Sequence, residues 1–137
     1  MISKPALLAC LACLAACAST TPVDISGSRT QLQSRQLQTR QYDTLDKTLT
    51  VRSVIATLQD LGFTIDQADA ELGTITATRY DDYTMRMTVT VVQRGDERVS
   101  VRTNARIGET AVNDAATYQD FFVALDKAMF LTLQGVD

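Results

Sequence analysis

Apolar residues recur along this chain with two different periods. Val51, Val54, Ile55, Leu58 and Leu61 recur at spacings of three and four, which puts them on one side of a helix. Asp46 is placed to cap the start of that helix and Gly62 to stop it. Before it, Gln41 to Thr44 predicts a short strand. After it, Phe63-Thr64-Ile65-Asp66 alternates as a strand, Asp69-Ala70-Glu71-Leu72-Gly73 turns, and Thr74-Ile75-Thr76-Ala77-Thr78 alternates again.

Two longer alternating runs follow. Met85, Met87, Val89 and Val91 share one strand face, and Val99, Val101, Thr103, Ala105 and Ile107 share another. If both faces meet one core, odd positions must face odd positions. Val91 opposite Val99, Val89 opposite Val101 and Met87 opposite Thr103 is the expected register, with an odd-numbered loop around Gly95. Past a loose stretch from Gly108 to Ala116, Tyr118, Phe122, Leu125, Met129 and Leu133 return to helical spacing, flanked by Ala128 and Thr132. The predicted fold is α+β: an antiparallel sheet with two helices packed on one face, in the order β-α-β-β-β-β-α.

The segment from Val51 to Thr78, which ends in ATLQDLGFTIDQADAELGTITAT, resembles the small α+β domains of several bacterial lipoproteins. The order of elements over about residues 39 to 135 is also similar to the helix-grip domains of the C lipoprotein of the β-barrel assembly machinery. Leu61-Gly62-Phe63 and Leu72-Gly73 carry the likeness. These residues punctuate the chain and bring no active site with them.

The first seventeen residues have a different pattern. Met1-Ile2-Ser3-Lys4 is a short positive start, and Pro5 to Ala16 is an apolar run shorter than the about 20 residues that a membrane-spanning helix needs. This is the profile of a signal peptide. Leu14-Ala15-Ala16-Cys17 resembles a bacterial lipobox, in which an aliphatic and two small residues present the cysteine that receives diacylglycerol. Leu7-Leu8-Ala9-Cys10 is a poorer match, since bulky Leu8 stands beside the small position. The resemblance implies cleavage before Cys17 and acylation of its sulfur, palmitate being the expected kind of chain. It also implies a membrane-anchored, periplasm-facing mature protein. Ala18 in place of Asp after the cysteine points to the outer membrane, by likeness to enterobacterial sorting. Cys10 and Cys13 would leave with the signal, so the mature chain has no free thiol and no disulfide. From Ala18 to about Gln38 the sequence is rich in Ser, Thr, Gln and Arg with no apolar period, which predicts a flexible tether. A first strand or a partner-docking helix over Gln31 to Gln38 is the alternative. The expected organisation is therefore a signal peptide at 1–16, a lipidated cysteine and tether at 17–38, and one α+β domain at 39–137.

Composition narrows the function. At 137 residues, 45% hydrophobic and 21% charged, the chain can close a core without metal or disulfide. Its net charge of −3 and pI near 4.8 give no electrostatic reason to expect nucleic acid. Cleavage before Cys17 would remove Lys4 and no acid, making the mature chain one unit more negative. Histidine and tryptophan are absent, which removes the commonest general base, the commonest zinc ligand and the usual sugar-stacking platform. No Gly-rich phosphate loop or Ser-x-x-Lys motif occurs. The expectation is a non-enzyme with no cofactor and no metal, apart from the covalent lipid on Cys17.

Candidate binding residues lie elsewhere. The open face of the two long strands should carry Arg86, Thr88, Thr90 and Val92, with Arg98, Ser100, Arg102, Asn104 and Arg106 beside them. Its guanidinium forks suit carboxylates or phosphates. Tyr80-Asp81-Asp82-Tyr83 forms a turn that could serve recognition, although adjacent aspartates do not make a calcium loop. Val123 and Phe130 fall seven residues apart on the outer side of the last helix, with Leu131 near them, as expected of a contact surface or homodimer seam. Met85, Met87 and Met129 read as core filler. The function expected is a lipid-anchored binding or accessory protein in envelope assembly or transport, with an envelope protein as its partner. A structural lipoprotein that binds peptidoglycan or self-associates is one alternative. An accessory of an efflux assembly, by loose family likeness, is another.

Overall fold

The computed structural model describes residues 25–135, with side chains from Thr30 onward. The signal peptide, the lipobox at Leu14-Ala15-Ala16-Cys17 and the start of the tether lie outside the described residues.

The chain runs α1 (Ile25–Gln38), β1 (Thr39–Tyr42), α2 (Lys47–Asp60), β2 (Thr64–Asp69), β3 (Thr74–Tyr80), β4 (Thr84–Arg94), β5 (Arg98–Ile107), β6 (Thr110–Ala111) and α3 (Ala115–Leu133). The strands form one antiparallel sheet in the order β1-β5-β4-β3-β2, with β6 on the β1 side of β5. Helices α2 and α3 cover one face of it, as the two apolar periods require. Val51, Val54 and Leu58 of α2, and Tyr118, Phe121, Phe122, Leu125 and Met129 of α3, close over Ile75, Ala77, Met85, Met87, Val89, Val91, Val99, Val101 and Ala105.

Local chemistry sets the ends of the elements. The Asp46 carboxylate accepts the Leu49 N–H at 2.8 Å and starts α2. At its other end Phe63 N–H reaches Leu58 O at 2.9 Å and Gly62 N–H reaches Gln59 O at 3.0 Å. This pair of bonds needs the left-handed Gly62, φ 86°. The Leu-Gly-Phe signature is thus a helix terminator. Asp114 caps α3 in the same way, accepting the Thr117 N–H at 3.1 Å and its hydroxyl at 3.0 Å. These bonds from Thr117 hold the Asp114 carboxyl below its usual range.

Gly73 has a second role. Its φ is 78°, and a Cβ there would lie 2.2 Å from the Val91 carbonyl oxygen. The β2–β3 turn therefore lies hard against β4, where the Val91 N–H donates to Gly73 O at 2.7 Å.

Several expectations change. Residues 25–38, read as tether, form α1. Its composition of Gln, Arg and Leu favours helix, yet most of its described side chains are exposed, Ser34, Leu37 and Gln38 excepted. The first strand is Thr39–Tyr42 rather than Gln41–Thr44, since its pairing with β5 runs from Thr39 opposite Arg102 to Tyr42 opposite Val99. Strand β2 extends to Asp69, with a bulge between Ile65 and Gln67 that breaks its alternation. In the β4–β5 pair the parity is odd with odd, but the register lies two residues away from the one expected. Val91 faces Val101 and Val89 faces Thr103, because Arg94 still pairs with Arg98 across a three-residue loop at 95–97. On α3 the buried face is broader than one stripe. Phe121 is buried beside Phe122, their rings edge to face at 5.1 Å. Leu133, one turn past the last buried residue Met129, is 59% exposed.

Between β1 and β6 the outer edge of β5 has a gap, and the Tyr118 hydroxyl fills it. The oxygen accepts the Ala105 N–H at 3.2 Å and the Gln38 Nε2–H at 3.3 Å, and it donates to Val112 O. One buried phenol thus ties α1, β5, the segment after β6 and α3 together.

Candidate functional site

Because both core helices pack on one face of the sheet, the other face of β4 and β5 is left open. Strand alternation sends every even-numbered residue of these two strands to it. Arg86, Thr88, Thr90, Val92 and Arg94 come from β4, and Arg98, Ser100, Arg102, Asn104 and Arg106 from β5. The register sets the neighbours. Arg86 lies opposite Arg106, Thr88 opposite Asn104, Thr90 opposite Arg102, Val92 opposite Ser100, and Arg94 opposite Arg98. The floor continues sideways through Thr78, Thr76 and Thr74 of β3, and through Thr39 and Gln41 of β1. The result is a sheet of hydroxyls with a guanidinium pair at each end and Arg102 between them.

The sequence places Arg86, Arg98, Arg102 and Arg106 on one surface, and the structure brings them together. It adds Arg94, which has the same even parity and ends β4 beside the Gly95 loop. The threonine floor of β3 was legible only as alternation, since nothing in the sequence says which strand neighbours β4.

Charge on this face is poorly neutralised. Arg98 reaches Asp43 at 3.1 Å and Arg106 reaches Glu109 at 3.5 Å, each pair more than half exposed and so of small energetic value. Arg106 also donates to Glu109 O at 2.7 Å. Among the described residues Arg86, Arg94 and Arg102 have no ion pair. Two shallow hollows mark the surface. One of about 310 Å³ is lined by Thr84, Arg86, Arg106, Gly108 and Glu109, and another of about 370 Å³ by Thr39, Thr90, Val92, Arg94, Ser100, Arg102 and Asn104. A third hollow, beside Phe63 and Met87 on the helix side, measures only about 80 Å³, well below the size of a small-molecule site.

The remaining candidates divide between this face and other surfaces. Tyr80 ends β3 opposite Thr84, on the open face and at the Arg86 end, with 69% of its surface exposed. Tyr83 lies in the turn at 81–83 and is also exposed. Asp81 is tied back to Arg79 at 2.8 Å, and that guanidinium covers the Phe63 ring at 5.0 Å on the helix side. Val123 and Phe130 are exposed on α3, 66% and 63%. They belong to the helix layer, across the sheet from the arginines, and form a separate surface with Leu131.

One further cluster was not expected. Arg40 and Tyr42 of β1 both engage Asp126 of α3, the tyrosine hydroxyl donating at 2.8 Å, and Arg40 also covers the Phe122 ring at 4.8 Å. Burial, then the bond to the Asp126 carboxylate and its charge, raise the Tyr42 pKa, with Arg40 opposing. The cluster fastens an edge strand to a helix.

Among the described residues no helix is long and apolar enough to cross a membrane. No family model matches the chain, and no curated protein is similar to it.

Proposed function

We propose that this is a lipid-anchored, periplasm-facing, non-catalytic binding protein, an accessory in envelope assembly or transport. The observation that carries the binding part is the open face of β4 and β5, where five arginines are exposed around a half-buried floor of hydroxyls and three of the arginines have no ion pair among the described residues. Guanidinium groups held by a rigid sheet suit recognition of planar anions. The anchoring part rests on Leu14-Ala15-Ala16-Cys17 behind a short basic start. A chain without histidine or cysteine in its folded part offers little for acid–base or nucleophilic chemistry.

The α1 helix changes the geometry of anchoring. If Cys17 carries the lipid, residues 25–38 enter its link to the domain as a helix, about 21 Å long, rather than as part of a coil running to Gln38. The domain would be held closer to the bilayer than a long tether allows.

The test of anchoring is the mass of the mature protein extracted from membranes, compared with a Cys17→Ala variant. Acylated Cys17 at the new N-terminus, with an unprocessed precursor in the variant, is the expected result. An unmodified, soluble wild-type chain would refute it. A second reading, self-association, is favoured by the exposed Val123 and Phe130 on α3. It predicts a concentration-dependent dimer that Phe130→Ser abolishes.

A further inference from the structure

The open face breaks a rule of sheet design in two places. Like charges directly opposite one another across strands are destabilising, yet Arg86 faces Arg106 at one end of the β4–β5 ladder and Arg94 faces Arg98 at the other. Exposed β positions accept almost any polar residue, so a stability requirement does not explain two such pairs. Departures from local consistency concentrate where a protein binds something.

We infer that this face binds a linear glycan carrying carboxylate groups, laid along β4 and β5. This rests on the reading of the chain as an envelope binding protein. Three features select that ligand chemistry. The first is the charge type: half of the ten arginines in the chain are here and no lysine is, and a guanidinium fork, which also takes phosphate, matches a planar carboxylate with two parallel bonds. The second is spacing. Arg98, Arg102 and Arg106 recur every four residues, about 13 Å apart along the strand, and Arg86 and Arg94 are separated by about 27 Å. That separation fits an extended chain with repeated charges better than a single headgroup. The third is what lies between. Thr88, Thr90 and Asn104 offer hydroxyl and amide groups to sugar hydroxyls, and Val92 is the one apolar side chain. Protein interfaces are built around buried apolar and aromatic anchors, and membrane-surface binding needs an apolar set to insert. On this face Val92 and, at the Arg86 end, Tyr80 are exposed singly and form no contiguous apolar set.

The whole molecule is acidic, with a net charge of −3, so its overall field repels polyanions. Binding of one therefore reports the local face.

The experiment uses the full acylated chain in nonionic detergent and three polymers with one backbone: dextran, carboxymethyl-dextran and dextran phosphate. Micelles doped with phosphatidylglycerol are a competitor. Carboxymethyl-dextran is expected to bind, to weaken as salt rises, and to resist displacement by the doped micelles. The combined Arg86→Thr, Arg94→Thr and Arg102→Thr variant should lose affinity by about tenfold or more, while its melting temperature holds or rises because the opposed charges are relieved. Phe130→Ser should bind as the wild type does. Equal binding of neutral dextran, preference for dextran phosphate or the lipid micelles, or unchanged affinity in the triple variant would overturn the inference. The Cys17→Ala chain separates this from the anchoring question: if it binds as tightly while lacking lipid, the glycan site stands whatever the fate of the anchor.

Discussion

Several single atoms sit where the fold has little slack, and each gives a measurable expectation. Adding a methyl group at Gly73 meets the Val91 carbonyl oxygen at 2.2 Å in a backbone conformation that L-residues avoid. Gly73→Ala should therefore cost about 2–4 kcal/mol, read as a lower urea midpoint with an unchanged slope. Tyr118→Phe strips the Ala105 N–H and Gln38 of their acceptor and should cost about 1–3 kcal/mol. Thr103 is the reverse case. Its hydroxyl is buried without a partner, so Thr103→Val should be neutral or stabilising by about 1 kcal/mol. Tyr42 gives the alkaline limit. Its pKa is raised in the fold by burial and by Asp126, so the neutral phenol is favoured when folded. That contribution is fully present below the unfolded value of about 10 and is lost as pH rises toward the higher folded value. The resistance of the wild type to urea should fall above about pH 10, and Tyr42→Phe should flatten that part of the profile. The signals for these roles differed in legibility. Gly73 stood out as a turn glycine, whereas Ala105 and Gln38 lie 13 and 80 residues from Tyr118, and Asp126 lies 84 from Tyr42, with no local mark.

Elements were legible where their apolar period was strong. The α2 helix, with Asp46 and Gly62 at its ends, follows from residue spacing and cap chemistry. Asp46→Ala should cost about 1 kcal/mol by releasing the Leu49 N–H, seen as a lower melting temperature. The alternation of β4 and β5 likewise fixed which residues face the core, because a one-residue slip would turn Val89 and Val101 to water. A two-residue slip preserves every face, and for that reason the hydrophobic pattern could not decide between Val91 facing Val99 and Val91 facing Val101. The closing loop decides it, with Arg94 and Arg98 as the last pair before Gly95. The same ambiguity hid the opposed arginines, which exist only in the observed register. Helix α1 had no apolar stripe to announce it. What holds its end is Gln38 on the Tyr118 hydroxyl, a long-range contact.

At the scale of the whole molecule the fold separates two kinds of surface. Two core helices on one side of the sheet leave a polar, arginine-rich face on the other, while Val123 and Phe130 look outward from the helix layer. The proposed anchor at Cys17 would hold the first of these surfaces in the envelope, where extended anionic polymers are within reach. The central claim is that the open face is occupied there, and the thiol content of the mature chain allows a direct test. If Cys17 is acylated and Cys10 and Cys13 are removed, as proposed, an introduced cysteine is the only free thiol. Asn104 lies in the middle of the arginine face, and Ala56 is exposed on α2. The measurement is the maleimide labelling rate of Asn104→Cys and of Ala56→Cys, in intact envelopes and after purification. The account predicts that Asn104→Cys is protected in the envelope and reactive once purified, while Ala56→Cys reacts in both. Equal reactivity of Asn104→Cys in the two settings would contradict it.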